Sequence, residues 1–328
     1  MLRRFDFEMF QMYVDQADVT DLNYNGKDLW VDDLNKGRYV VKGFSDKDAI
    51  YRLVLRLSNA VNLPYTVSNP IFETEIGLLR ISVLHPTISK DVCISIRKTS
   101  GQCRYDVKSI IEKEYISQAA LDFLVSSIRC RCNVMISGLP GSGKTELLKF
   151  LTQFIGDKER VITLEDSMEI HYDVLHPSRD CVALKTSKVM SYDDAIKASL
   201  RQRPDWLLLS EVRGSEAFEL LKCVSTGLHL ISTIHARSAK EIPNRLLFMM
   251  NGASIDSVSM LAQIETLFDV GIHIDLLHTC KGIVRRVREI VVFNQGSTVT
   301  IYQHGGVVDL DKLPEKIKSR ADLYGVQW

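Results

Sequence analysis

An octapeptide with the pattern of a phosphate-binding loop constrains this 328-residue chain more than any other feature. Residues 138–145 match G-x-x-x-x-G-K-[ST] at every fixed position. Glycines let successive backbone N–H groups turn inward around a polyphosphate, where side chains would obstruct them. Lys144 can reach the β- and γ-phosphates, and the Thr145 hydroxyl can join the ligand shell of Mg²⁺. The predicted phosphate site comprises Gly138, Gly141, Ser142, Gly143, Lys144 and Thr145.

The residues on either side of the loop predict the structure that such a loop needs. Residues 133–137 are typical of a short buried strand that runs into it. Residues 146–151 carry Leu147, Leu148 and Leu151 at helical spacing, which predicts a helix leaving it. A helix that begins at the loop adds its partial positive charge at the phosphates.

Composition limits the kind of partner. Lys+Arg and Asp+Glu both total 41, which argues against a protein that holds nucleic acid by bulk charge alone, and no direct nucleic-acid binding is expected. No apolar run approaches the roughly 18 residues that span a bilayer, and the first residues lack the apolar core of a signal peptide. We therefore expect a soluble, cytoplasmic protein that meets a membrane only through partners. Seven scattered cysteines predict reduced, mostly buried thiols.

Two domains are predicted, with the boundary near residue 105. Residues 1–105 are typical of an α+β unit: strands around the Asn25-Gly26 turn, and a helical stripe over 46–60. Further strands are predicted over 78–84 and 92–97, and a polar linker over 98–104. From 106 to 328, strands and helices alternate, which favours an α/β fold with a mostly parallel sheet. There, strands are predicted over 160–165, 206–210 and 230–234 and in the tail 270–302, and helices over 191–203, 215–225, 239–250 and 255–267.

Several carboxylates and one histidine follow predicted strands of the second domain. Glu211 ends an apolar strand, Glu165 and Glu169 belong to an acidic cluster after another, and His235 follows a third. Because neighbouring parallel strands present their carboxyl ends to one crevice, these side chains are expected near the phosphate loop. Glu211 is predicted to hold Mg²⁺ through water or to polarise the attacking water.

Arginines are further candidates, because phosphoryl transfer depends on positioning and on charge neutralisation. For any one of them, a surface salt bridge is the default interpretation. The run 285–288 favours a solvated strand face over a nucleic-acid site. The candidates are Arg80, Arg97, Arg201, Arg203 and Arg213.

Taken together, the motifs resemble those of the type II/type IV secretion ATPase superfamily, in the type IV secretion and tight-adherence branch. After the phosphate loop come an acidic box at 164–169, the stretch 200–217 through Leu-Arg-x-x-Pro-Asp and Glu-x-Arg-Gly, and a Thr-Gly box ending at His235. The match spans roughly 130–290, and a weaker one reaches the first domain. One departure is Leu228, which stands where the family has histidine, so His229 is displaced.

The resemblance implies a RecA-like C-terminal ATPase domain and a smaller PAS-like N-terminal domain. It also implies ATP with Mg²⁺, a homohexameric ring at the inner face of the cell membrane, and inner-membrane platform proteins as partners. Arg80 and Arg97 would grip the phosphates, with nucleotide between the domains, while Glu169, Glu165, Glu211 and His235 would serve hydrolysis. The alternatives are a nucleic-acid-directed P-loop motor or loader, for which no aromatic and basic groove is found, and a non-hydrolysing scaffold.

Overall fold

The computed structural model describes residues 5–44, 46–187, 189–250, 256–280 and 282–328. The chain divides into two compact units. They comprise Met1–Ser100 with His278–Ile283, and Gly101–Leu277 with Val284–Trp328. The boundary near residue 105, inferred from composition, stays a prediction.

The first unit is an antiparallel sheet with one long helix. The sheet order is β3-β2-β1-β6-β5-β4, and each neighbouring pair is antiparallel. Asp46 caps the long helix by accepting from Ala49 N, and the helix buries its apolar stripe in the core of the unit. The elements are α1 (Gln11–Val14), β1 (Val19–Tyr24), β2 (Leu29–Asp33), β3 (Gly37–Val41), α2 (Lys47–Val61), β4 (Ile71–Ile76), β5 (Leu79–Leu84) and β6 (Cys93–Lys98).

The second unit is an eight-stranded sheet of order β14-β13-β12-β7-β11-β10-β8-β9, with parallel pairing from β12 through β9. Its strands are β7 (Val134–Gly138), β8 (Val161–Glu165), β9 (Cys181–Lys185), β10 (Trp206–Val212), β11 (His229–Ile234), β12 (Val270–Thr279), β13 (Gly282–Asn294) and β14 (Ser297–Gln303). Its helices are α3 (Val107–Glu112), α4 (Gln118–Arg129), α5 (Lys144–Thr152), α6 (Tyr172–Leu175), α7 (Tyr192–Leu200), α8 (Glu216–Ser225), α9 (Ile242–Met249), α10 (Ser257–Leu267) and α11 (Glu315–Tyr324).

Apolar side chains of this sheet are buried on both faces. All residues of β7 and β8 are buried, as expected of central strands in a covered parallel sheet. Alternate residues of β7 enter different cores: Ile136 joins a core with α4, α5 and α11, whereas Met135 joins one with α7 to α10. The expected mixed α/β class is confirmed.

Helix α7 is shorter than the pattern predicts. Its N-cap is Ser191, whose hydroxyl accepts from Asp194 N at 3.1 Å, but the helix ends at Leu200 rather than Arg203. Arg203 has φ +52°, outside the right-handed helical region, and Pro204 has no N–H to continue the helical hydrogen bonds, so the helix cannot extend to the predicted end. The predicted helix over 255–267 is confirmed from Ser257, while Ile255 lies outside the described residues.

A buried ionic cluster joins the amino ends of the central strands. Asp269 is fully buried, accepts from Asn133 N at 2.8 Å, and pairs with Lys316 at 3.4 Å and Arg320 at 2.9 Å. The Asn133 side chain accepts in turn from Leu230 N at 3.0 Å. These bonds fix α11 and the starts of β7, β11 and β12 at the edge opposite the phosphate loop.

Candidate nucleotide-binding site

The phosphate loop connects β7 to α5 and contains a tight turn. Ser142 N donates to Leu139 O at 3.1 Å, with Pro140 and Gly141 between them and Gly141 at φ +77°. Proline at the second position and a positive φ at the third are the signature of a type II turn. Gly138 is needed for space, because a Cβ there would lie 2.9 Å from the backbone oxygen of Ile274 and would also meet the Ser142 hydroxyl.

Lys144 is folded back onto the loop that it follows. Its ammonium donates to Gly138 O at 3.1 Å and Leu139 O at 3.4 Å, and lies 3.1 Å from His235 Nδ1. Burial lowers the pKa of Lys144 to about 8, against the opposing effect of the Glu211 and Glu169 carboxylates. Keeping the Lys144 ammonium charged in this buried position therefore costs free energy, and a bound phosphate would offset that cost.

A string of polar contacts crosses the carboxyl ends of four strands. His235 Nε2 lies 2.7 Å from Glu211 Oε1, and Arg213 Nε donates to Glu211 Oε2 at 2.9 Å. Arg213 Nη1 then donates to Asp166 at 2.5 Å. His235 Nδ1 lies 3.1 Å from both the Lys144 ammonium, which can only donate, and Gly138 O, which can only accept, so no single tautomer of His235 satisfies both contacts. Glu211 is thus a half-buried carboxylate that Arg213 orients and that is connected to the loop lysine through His235.

Glu165 is buried and accepts hydrogen bonds from the backbone of the loop that follows it. Its Oε2 accepts from Glu169 N at 2.7 Å and from Ile170 N at 2.9 Å. Burial raises its pKa to about 7, although the two N–H bonds oppose this shift. At 1% exposure, Glu165 fixes the acidic loop, whereas Glu169 is half-buried and contacts Thr145.

The residues beside the phosphate loop include side-chain oxygens that could bind Mg²⁺. Across the described ranges, no group of three or more His, Cys, Asp or Glu side chains could hold a metal by itself. Mg²⁺ does not require one, since it keeps several waters and binds through few protein oxygens plus phosphate. Thr145 Oγ1 lies 3.3 Å from Glu169 Oε2, so a hydroxyl and a carboxylate stand together at the start of α5. These residues fit Mg²⁺ in the company of phosphate. The pairing of Thr145 with Glu211 stays a prediction.

In the first unit, Arg80 and Arg97 stand directly opposite each other on β5 and β6. They belong to a row of cross-strand partners on one face of the sheet, in which Arg97 lies 3.7 Å from Asp21 and Arg38 lies 3.8 Å from Asp32. Like charges directly opposite are destabilising, and Asp21 beside Arg97 and Glu75 opposite Arg80 offset part of this repulsion. We call this set the charge row: Arg38, Asp32, Asp21, Arg97, Arg80 and Glu75.

Two residues take places that the sequence did not assign. Arg285, interpreted above as part of a solvated strand face, is half-buried, and its Nε donates to Gly141 O at 2.9 Å. Asp166 was an undistinguished member of the acidic cluster, but it anchors Arg213. His229 starts β11 at the edge opposite the loop, where it lies against Trp206, and burial lowers its pKa to about 4. No signal in one sequence marks the Arg285 contact, which joins residues 144 positions apart.

Fold and site together define a P-loop nucleotide-binding protein of mixed α/β class. Residues 69–304 match the family described as type II/IV secretion system protein, and the chain belongs to this family. The family membership predicted from the motifs is confirmed.

The chain also resembles individual proteins of known sequence or structure. The chain is 31% identical over 265 residues to an uncharacterised protein of Bacillus anthracis, covering 79% of this chain but only 59% of that protein. It is 28% identical over 289 residues to the conjugal transfer protein TrbB of Rhizobium radiobacter, covering 85% of this chain and 84% of that one. The Yersinia pseudotuberculosis ATPase DotB shares the fold, with a TM-score of 0.68 at 14% identity over 90% of this chain and 83% of that chain. None of the helices in the described ranges is both long and apolar enough to cross a membrane.

Proposed function

We propose that this chain is an ATPase that hydrolyses ATP to ADP and phosphate and so drives a type IV secretion, conjugation or pilus machine. The observation that carries the proposal is the string Lys144–His235–Glu211–Arg213–Asp166, which links the phosphate loop to an oriented carboxylate. Family membership and the relative named a conjugal transfer protein support the machine class. The nucleic-acid-directed alternative is not favoured by them.

In this mechanism, Lys144 exchanges its bonds to loop carbonyls for bonds to the β- and γ-phosphates. Glu211, oriented by His235 and Arg213, orients the attacking water and accepts its proton in the transition state. Thr145 and Glu169 are the residues that would hold Mg²⁺, which when bound neutralises charge on the phosphates. Glu165 keeps the Glu169 loop in place.

The test separates binding from turnover. Lys144→Met should weaken ADP and ATP binding in calorimetry, because the cation that faces the phosphates is gone. Glu211→Gln should bind ATP near the wild-type Kd but release phosphate about a hundredfold more slowly, the typical size of a general-base effect. Glu219→Gln, which removes the half-buried partner of Lys222 on α8, is the matched control. Wild-type phosphate release by Glu211→Gln would remove Glu211 from the reaction.

A further part of the proposal concerns the arginine pair of the first unit. We infer that Arg80 and Arg97 bind nucleotide phosphate, which is supported by their mutual repulsion across β5 and β6. Arg97→Ala should weaken ATP binding and turnover. Arg38→Ala is the control, because Arg38 belongs to the same charge row and pairs with an aspartate as Arg97 does, but its cross-strand partner is Asp32 rather than a second arginine. Equal effects of the two substitutions would argue for general electrostatics instead.

The assembly is also a proposal: a homohexamer at the cytoplasmic face of the membrane, docked on inner-membrane platform proteins. Family membership supports it. Native mass measured with and without ATP and Mg²⁺ tests the ring, and a monomer at micromolar concentration under both conditions would contradict it.

A further inference from the structure

An arginine from the far end of the chain contacts the phosphate loop within the second unit. Arg285 lies on β13, and its Nε donates to Gly141 O at 2.9 Å. Its Cδ also lies 3.7 Å from the position that a Cβ on Gly143 would take. The side chain therefore runs beside the loop, hydrogen-bonds it at Gly141 and passes close to Gly143.

This contact is the second of two hydrogen bonds that hold one peptide group of the loop. The carbonyl of Gly141 and the N–H of Ser142 belong to one planar peptide and point in opposite directions. Arg285 holds the carbonyl, and Leu139 O accepts from the N–H at 3.1 Å. Glycine offers little resistance to rotation of this peptide, and a carbonyl turned into the loop would place negative charge against the phosphates.

The neighbouring arginines of the strand show that this role is specific. Arg286 and Arg288 lie 3.8 Å and 3.7 Å from Asp275 carboxylate oxygens. Among the described side chains, no carboxylate forms an ion pair with Arg285, although it is half-buried. The Arg285 guanidinium therefore interacts with the backbone of the loop, where its charge adds positive potential beside the phosphate site.

We propose that Arg285 is a positioning residue of the nucleotide site: it holds the Gly141 carbonyl outward and keeps the phosphate loop arranged for nucleotide. The inference rests on the proposed nucleotide binding at this loop. It assigns Arg285 no contact with the reacting atoms, so its loss should act on affinity more than on the chemical step.

The experiment uses the full chain and ADP with Mg²⁺ as the probe. Arg285→Met should raise the Kd for ADP about tenfold, the usual effect of losing one hydrogen bond to a charged donor, and raise KM for ATP with little change in kcat. Arg285→Lys, which keeps a cation and a donor, should recover much of the affinity. Arg288→Met is the matched control on the same strand and should bind ADP as the wild type does.

Unfolding temperatures measured without nucleotide separate positioning from a merely structural role. A variant Arg285→Met that melts earlier but binds ADP with the wild-type Kd would overturn the inference. So would equal weakening by Arg288→Met, because the effect would then be general electrostatics. If the wild type itself binds neither ADP nor ATP, the proposed function fails. If Lys144→Met loses binding while Arg285→Met keeps it, only the inference fails.

Discussion

Glu165→Gln offers a sharp test of how the acidic loop is built. Glu165 is 1% exposed, and one of its oxygens accepts two backbone N–H bonds. Its other oxygen, Oε1, has no hydrogen-bond partner among the described residues. Glutamine keeps the shape and can keep the accepting oxygen, but it cannot ionise. The substitution therefore removes the titration and leaves the loop contacts in place.

The magnitude follows from proton linkage. Burial raises the pKa of Glu165 from 4.5 to about 7, so the folded state binds this proton more tightly than the unfolded state does. The stabilisation is complete below pH 4.5 and is lost as the pH rises through 7. Between pH 5 and pH 8, the wild type should lose about 2 to 3 kcal/mol of unfolding free energy through this group. The free energy of unfolding of Glu165→Gln should not fall in this way as the pH rises. Apart from this, it should differ from that of the wild type only by a constant amount, because an amide nitrogen replaces Oε1.

Urea denaturation at pH 5, 6.5 and 8 measures the effect, followed by the emission of Trp206 and Trp328, which both belong to the second unit. Glu112→Gln, an exposed carboxylate on α3, is the control. Only Glu165→Gln should flatten the pH dependence. If its curve runs parallel to that of the wild type, Glu165 is not the titrating group and the reasoning from burial is wrong.

Two further predictions follow from other contacts. Because the pKa of Lys144 in the free protein is about 8, ADP affinity should fall about tenfold between pH 7 and pH 9 as the ammonium is lost, and Lys144→Met should abolish this dependence in calorimetry. An unchanged wild-type Kd would contradict it. Asp269→Asn leaves Lys316 and Arg320 without their buried partner and should cost about 3 kcal/mol in urea unfolding. The control Asp309→Asn removes a surface ion pair with Lys312 and should leave the free energy of unfolding close to that of the wild type, and equal losses would refute the reasoning.

Much of the fold could be predicted because its signals are local. The phosphate loop, the strand ending at Glu211 and the Asn25-Gly26 hairpin each lie within a dozen residues, and the structure places strands at these points. Elements with weak patterns were missed, among them edge strand β9, whose residues are only partly buried, and helix α11. Edge strands lack the continuous apolar run that marks a central strand.

The site was less predictable than the fold. Parallel pairing explains why Glu211 and His235 meet, since β10 and β11 are neighbours. Parallel pairing does not determine which side chain at the end of a strand faces the phosphate loop. Asp166 and Arg213 are 47 positions apart, and they come into contact only because β8 and β10 pair in parallel in the sheet. Arg285 depends on the placement of β13, which no local pattern specifies.

The position of β7 in its sheet has a consequence for the order in which the protein forms. The strand that carries the phosphate loop lies between β11 and β12, and the bonds at its start join residues 97 and 136 positions apart. During synthesis, β7 therefore emerges long before either neighbour exists, and such distant pairings are slow to close. The two edges of a strand that is completely buried in the folded protein would stay unpaired until β12 has left the ribosome. The nascent chain should thus need a chaperone longest at the segment that will later hold the nucleotide.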